Sequence, residues 1–194
     1  MSKHKLIDPN LPNKLTILRM LMIPLFVLFF EWKSLPLNYF LAFAMFGIAS
    51  LTDLFDGKLA RKYNLVSDFG KLMDPLADKV LVTSALVCFV AEASAATPSW
   101  VVILILAREF LVTSLRLLAA AKGVVLAADK WGKYKTATTM TWILVDLFLM
   151  EFTILIDWCS LFGWLHPILM YLSLFFTIYS GANYVLKNKE MFGK

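Results

Sequence analysis

Long apolar stretches recur along nearly the whole chain, at about 15–32, 36–57, 72–93, 98–121, 134–156 and 163–186, with short polar gaps between them. A helix needs about 20 mostly apolar residues to cross the hydrocarbon of a bilayer, and all six stretches qualify. All are read as helices, because an exposed sheet edge leaves N–H and C=O groups unsatisfied in lipid. Composition agrees: 60% of the 194 residues are apolar, more than is usual in a soluble domain. Pro36, Pro98 and Pro167 punctuate the gaps. The 3.6-residue period is weak within the stretches, as it is when most helix faces meet lipid. The expected fold is all-α: a polytopic membrane protein with six transmembrane helices, organised as a single domain over residues 1–194.

Orientation follows from the basic residues. Lys3, Lys5 and Lys14 precede the first stretch; Lys58, Arg61, Lys62 and Lys71 surround the second gap. Lys122, Lys130, Lys133 and Lys135 fill the fourth gap, and Lys187, Lys189 and Lys194 close the chain. The opposite side has Lys33 against Glu31, Glu92, Glu151 and Asp157. The positive-inside rule then places both termini in the cytoplasm. Trp32, Trp100, Trp158 and Trp164 fall near outer ends, as in an aromatic belt. The net charge of +5 fits a basic protein beside anionic lipid, and with this hydropathy no nucleic-acid partner is expected. Cys88 and Cys159 lie in apolar surroundings without metal-type spacing and read as small apolar fillers. The first stretch, from Leu15 to Trp32, is too long for a secretory h-region and lacks a small-residue cleavage site.

The chemistry concentrates between Asp53 and Asp78, in DLFDGKLARKYNLVSDFGKLMDPLAD. Asp53 and Asp56 are three apart, and Asp74 and Asp78 four apart, so each pair shares one face of a helix. A short loop joins the two helices, which makes them antiparallel neighbours and lets the four carboxylates converge. Four such groups repel unless a cation neutralises them. Their hard oxygens suit Mg²⁺ or Mn²⁺, and two ions balance four negative charges. Paired ions are also a common device for stabilising attacking and leaving oxygens at phosphorus. The alternative for any one aspartate is a helix cap or a pair with Lys58, Arg61 or Lys79; four at these spacings favour metal. Gly57, Ala60 and Gly70 among the acids permit close helix packing or close approach of a ligand. Arg61 is suited to meeting an anion, or it is simply solvated.

These residues carry a resemblance. Asp53-x2-Asp56-Gly57-x2-Ala60-Arg61-x8-Gly70-x3-Asp74-x3-Asp78 resembles the signature of the CDP-alcohol phosphotransferases at every fixed position. The resemblance implies a six-helix membrane enzyme in which two metal ions meet the pyrophosphate of a CDP-linked lipid. It makes Asp53, Asp56 and Asp74 metal ligands, and Asp78 the general base that also touches metal. It assigns Gly57, Ala60, Arg61 and Gly70 to the cytidine nucleotide site. The opening LPNKLTILRMLMIP and the stretch AREFLVTSLRLLAAAKGVVLAADKWGKYKT resemble the bacterial phosphatidylglycerophosphate synthase branch, which adds Asn13 and Thr16 near the nucleotide. That branch implies CDP-diacylglycerol and glycerol 3-phosphate as substrates, a homodimer among membrane lipids, and a bacterial cytoplasmic membrane with the active site facing the cytoplasm.

The acceptor site is read from charge. Arg108 and Arg116 are eight residues apart on one face of the fourth stretch, and Lys133 and Lys135 precede the fifth. Together they can form a cationic pocket for an acceptor that is itself a phosphate ester. The alternatives are pairing of Arg108 with Glu109, snorkelling of Arg116 and lipid-facing lysines. Other acceptors (phosphatidylglycerol, inositol or serine) are the nearest rival reading. A membrane prenyltransferase or a cation transporter fits less well, because the acids lie close together and at one membrane face. The last two stretches look generic.

Overall fold

A computed structural model describes residues 11–63, 68–92, 95–121, 123, 130–155 and 163–188; the side chains of 11–15, 53–63, 68–72, 74–75 and 153–155 lie outside the described residues. The described residues form helices without a strand: α1 (Leu11–Glu31), α2 (Asn38–Tyr63), α3 (Asp68–Ala91), α4 (Ser99–Ala121), α5 (Lys130–Leu155) and α6 (Leu165–Lys187). Each matches one apolar stretch. The helices nevertheless outrun the stretches: α2 continues to Tyr63 and α3 starts at Asp68, so the motif residues are helical. Hydropathy marks where the apolar run stops, whereas a helix continues for as long as its polar side chains can reach water.

Among the described residues, one helix, Leu165–Lys187, is long and apolar enough to cross a membrane by length and composition alone. The other helices carry polar groups within their length. In α4 these are Arg108, Glu109 and Arg116, the very residues that the sequence sets apart.

The chain divides into two compact units, Met1–Cys88 and Phe89–Lys194. In the first, α1 packs on α2. Met22, Phe26 and Phe30 recur every four residues and are buried, as are Ala42, Phe46 and Ala49 opposite. The Phe26 and Phe46 ring centres are 5.9 Å apart. The connection is tied by Asn38 Nδ2, which donates to the Phe30 carbonyl at 3.3 Å. Lys33 Nζ lies 4.6 Å from the ring centres of both Phe30 and Tyr39. Pro24 sits inside α1, where it removes the N–H that would reach the Met20 carbonyl.

In the second unit, α6 packs on both α4 and α5. Ser173, Leu174, Thr177, Ser180, Gly181 and Tyr184 form its buried face, while Ile168, Phe175 and Ile178 are exposed. Thr139 and Ser173 hydroxyls meet at 2.6 Å across α5 and α6. Between the C-terminal half of α5 and the start of α6, buried Asp146 Oδ2 accepts from Trp142 Nε1 at 2.7 Å and lies 2.6 Å from His166 Nδ1. Removing that carboxylate strands two polar groups in an apolar interior. Asp146→Ala is therefore expected to cost about 3 kcal/mol of stability, read as a lowered unfolding temperature in detergent; an unchanged midpoint would show that the clasp contributes nothing.

Candidate active site

All eight fixed positions of the acidic motif fall on two helices. Asp53, Asp56, Gly57, Ala60 and Arg61 all lie in α2, and Gly70, Asp74 and Asp78 in α3. The backbone thus gives each carboxylate pair the one-turn register that the sequence spacing calls for. The side chains of Asp53, Asp56, Gly57, Ala60, Arg61, Gly70 and Asp74 lie outside the described residues. Asp78 is described, and it is half-buried. In α1, the Asn13 side chain is likewise outside the described residues, and Thr16 is fully buried. One turn beyond Thr16, Arg19 is also fully buried. Sequence reasoning passed over Arg19, although an arginine inside an apolar stretch is itself a signal.

The cationic residues are described in detail. Glu109 Oε1 accepts from Arg108 Nη1 at 2.6 Å and pairs with Lys135 Nζ at 2.8 Å. Lys135 is buried on α5, so one carboxylate oxygen holds two cations from two helices. Arg108 Nη2 donates to Ser180 Oγ of α6 at 2.7 Å. Two turns further along α4, Arg116 Nε donates to Tyr184 Oη at 3.3 Å, with the guanidinium carbon 5.4 Å from the tyrosine ring centre.

Three of the four residues expected at the acceptor site are thus gathered where α4, α5 and α6 meet. Lys133 is not among them. It stands two residues before Lys135 and is exposed, because two helical steps turn a side chain to nearly the opposite face. Pairing of Arg108 with Glu109, the alternative weighed for that arginine, does occur, and the same carboxylate recruits Lys135. Ser180, Gly181 and Tyr184 were not anticipated. The signal was nevertheless present, as polar and small residues at 173, 177, 180, 181 and 184 along one face of an otherwise apolar helix.

Chemically, Arg108, Arg116 and Lys135 against the one carboxylate of Glu109 leave an excess of positive charge among these described groups. Planar guanidinium forks beside an ammonium suit a phosphate monoester.

Comparison with known proteins agrees with the motif. The family model for CDP-alcohol phosphatidyltransferase matches residues 9–179. The chain is 41% identical over 193 residues to a CDP-diacylglycerol–glycerol-3-phosphate 3-phosphatidyltransferase of Bacillus subtilis (strain 168), covering 93% of this chain and 96% of that protein. It is 40% identical over 192 residues to the protein of the same name from Rickettsia bellii (strain RML369-C), with 96% and 99% covered. A probable phosphatidylglycerophosphate synthase of Mycobacterium tuberculosis (strain ATCC 25618 / H37Rv) is 37% identical over 183 residues, with 92% and 81% covered. With the signature from Asp53 to Asp78 intact and the family model spanning both units, the chain belongs to the CDP-alcohol phosphatidyltransferase family.

Proposed function

We propose that this chain transfers the phosphatidyl group of CDP-diacylglycerol to the 1-hydroxyl of sn-glycerol 3-phosphate, giving phosphatidylglycerophosphate and CMP. Near-full-length similarity to enzymes named for that reaction supports the chemistry. The choice of acceptor is carried by one observation: an anionic oxygen, Glu109 Oε1, already sits between Arg108 and Lys135. A cluster that holds a carboxylate at hydrogen-bonding distance holds a phosphate by the same forces. Neutral inositol or zwitterionic serine leaves its charge uncompensated.

The membrane reading belongs here as well. Helices of 21 to 26 residues are long enough to cross a bilayer, and large apolar side chains such as Leu21, Ile103, Phe110 and Phe175 are exposed as lipid-facing groups are. Six crossings put both termini in the cytoplasm of a bacterial cell, with the acids of α2 and α3 at the cytoplasmic face. The family match across residues 9–179 supports one functional domain, and the resemblance supports a homodimer.

The donor set fits divalent metal. The backbone sets Asp53 and Asp56 one turn apart on α2, and Asp74 and Asp78 one turn apart on α3, all with hard oxygens. Among the described residues no group of three or more metal-ligating side chains occurs, and three of these four carboxylates fall outside them. Asp53, Asp56, Asp74 and Asp78 would hold two Mg²⁺ or Mn²⁺ ions, whose chemistry is neutralisation of charge at the pyrophosphate.

The chain's own residues do the rest. Arg108, Arg116 and Lys135 fix the acceptor through its phosphate and leave its hydroxyl free to react. Asp78 accepts the proton of that hydroxyl as its oxygen attacks the phosphorus next to the diacylglycerol. The bond from that phosphorus to the CMP oxygen breaks, and CMP leaves. Asn13, Thr16, Gly57, Ala60, Arg61 and Gly70 hold the cytidine nucleotide. Positioning and electrostatic stabilisation account for the rate.

The test is a product assay on purified protein in mixed micelles containing CDP-diacylglycerol and Mg²⁺, with each acceptor supplied separately. Phosphatidylglycerophosphate from glycerol 3-phosphate alone is the expected result. CMP release with inositol, serine or phosphatidylglycerol in its place would overturn the acceptor assignment and leave the family chemistry intact.

A further inference from the structure

Both arginines of α4 are held by α6, a helix whose sequence looks generic. Ser180 is buried, and its hydroxyl donates to the Thr177 carbonyl at 3.2 Å while accepting from Arg108 Nη2 at 2.7 Å. A hydroxyl has one hydrogen to give, so the bond to Thr177 fixes its lone pairs toward the guanidinium. Next to it, Gly181 is buried, and a Cβ added there would stand 2.9 Å from Arg108 Cγ. The stem of the arginine therefore lies directly on the α6 backbone, in space that any larger residue would fill. Tyr184, one turn on and buried, receives the Arg116 Nε–H and offers its ring face to the same guanidinium.

Glu109 pulls the other way. Its carboxylate draws Arg108 Nη1 to 2.6 Å, and an arginine that closed fully on that carboxylate would be neutralised and lost to any other anion. Ser180 holds the second nitrogen away from Glu109, and Gly181 gives the stem room to be held. Arg108 Nε is buried and has no hydrogen-bond partner among the described residues. A buried donor in that state is what a ligand oxygen satisfies. A guanidinium anchored on two sides also loses less freedom when the ligand docks.

We propose that Ser180, Gly181 and Tyr184 of α6 are positioning residues for the acceptor phosphate, holding Arg108 and Arg116 in the binding orientation against the competing pull of Glu109. This rests on the reading of those two arginines as acceptor ligands. The three residues act through the arginines and not on the reacting atoms, so their signature is a change in KM for one substrate.

The experiment is steady-state kinetics on the full chain in mixed micelles with Mg²⁺, varying glycerol 3-phosphate and CDP-diacylglycerol in turn. The variants are Ser180→Ala, Gly181→Ala and Tyr184→Phe, with Arg108→Gln as reference. Ser180→Ala and Gly181→Ala are expected to raise KM for glycerol 3-phosphate about tenfold, and Tyr184→Phe about threefold. In each, kcat and KM for CDP-diacylglycerol stay within about twofold of the parent, a split that general loss of structure does not produce. Should Gly181→Ala fail to fold, Ser180→Ala still decides, since it removes one atom and adds none. If Arg108→Gln raises that KM while Ser180→Ala leaves it at the parent value, the inference is overturned and the acceptor site stands. If Arg108→Gln itself leaves it unchanged, the acceptor reading falls, and the inference with it.

Discussion

Asp78→Asn is expected to lower kcat for CMP release by about a hundredfold to ten-thousandfold, the range typical of a lost general base. The amide has nearly the carboxylate's shape, so α3 keeps its register and the half-buried site keeps its packing. What it lacks is a basic oxygen to take the proton from the acceptor hydroxyl. The measurement is kcat at saturating CDP-diacylglycerol and glycerol 3-phosphate, repeated across a Mg²⁺ titration. A loss that persists at high Mg²⁺ assigns the defect to proton transfer, and one that high Mg²⁺ repairs assigns it to metal affinity. Near-normal turnover would remove Asp78 as the base.

Arg108→Gln should act on binding instead. Glutamine retains a polar head but loses the charge and the fork that reaches Glu109 at 2.6 Å and Ser180 at 2.7 Å. Losing a charge-assisted contact to phosphate costs about 2–3 kcal/mol, which raises KM for glycerol 3-phosphate about 30- to 150-fold. Arg108→Lys should recover only part of this, because one ammonium cannot span the serine and the carboxylate together. The check is KM for glycerol 3-phosphate in both variants beside KM for CDP-diacylglycerol. An equal rise in both constants would mean that the arginine supports the whole protein and not the acceptor site.

The sequence made the helices legible because lipid leaves a chain few choices: a run of about 20 apolar residues is a helix or it is not in the membrane. Helix ends were less legible. Lys58, Arg61 and Lys62 end an apolar run without ending α2, which reaches Tyr63. The same logic divides the site. Arg108 and Arg116 fall on the same side of α4 because eight residues is a little over two turns, and spacing alone reveals it. Lys133 and Lys135 look equivalent in the sequence, yet two steps of a helix send one into the protein and the other to its surface. Contacts between distant positions left no local trace. Ser180 meets Arg108 across 72 residues of sequence, and Asp146 meets His166 across 20. Only the polar stripe on α6 hinted that its face was occupied.

The pairing of Arg108 with its chain neighbour Glu109 bears on how the protein is made. A lone charge near the middle of a helix costs about 3 kcal/mol to place at mid-membrane, and α4 emerges from the ribosome before either α5 or α6 exists to receive it. Because acid and base are adjacent in the chain and their side chains bridge at 2.6 Å, α4 carries its own counter-ion, and in the proposed six-crossing topology it enters the bilayer as a dipole with no net charge at that point. Lys135 and Ser180 join only when the later helices dock. In that reading the pair lowers the cost of inserting α4 in its turn, and Lys135, arriving with α5, gives the cluster its net positive charge while Arg108 stays bridged to Glu109.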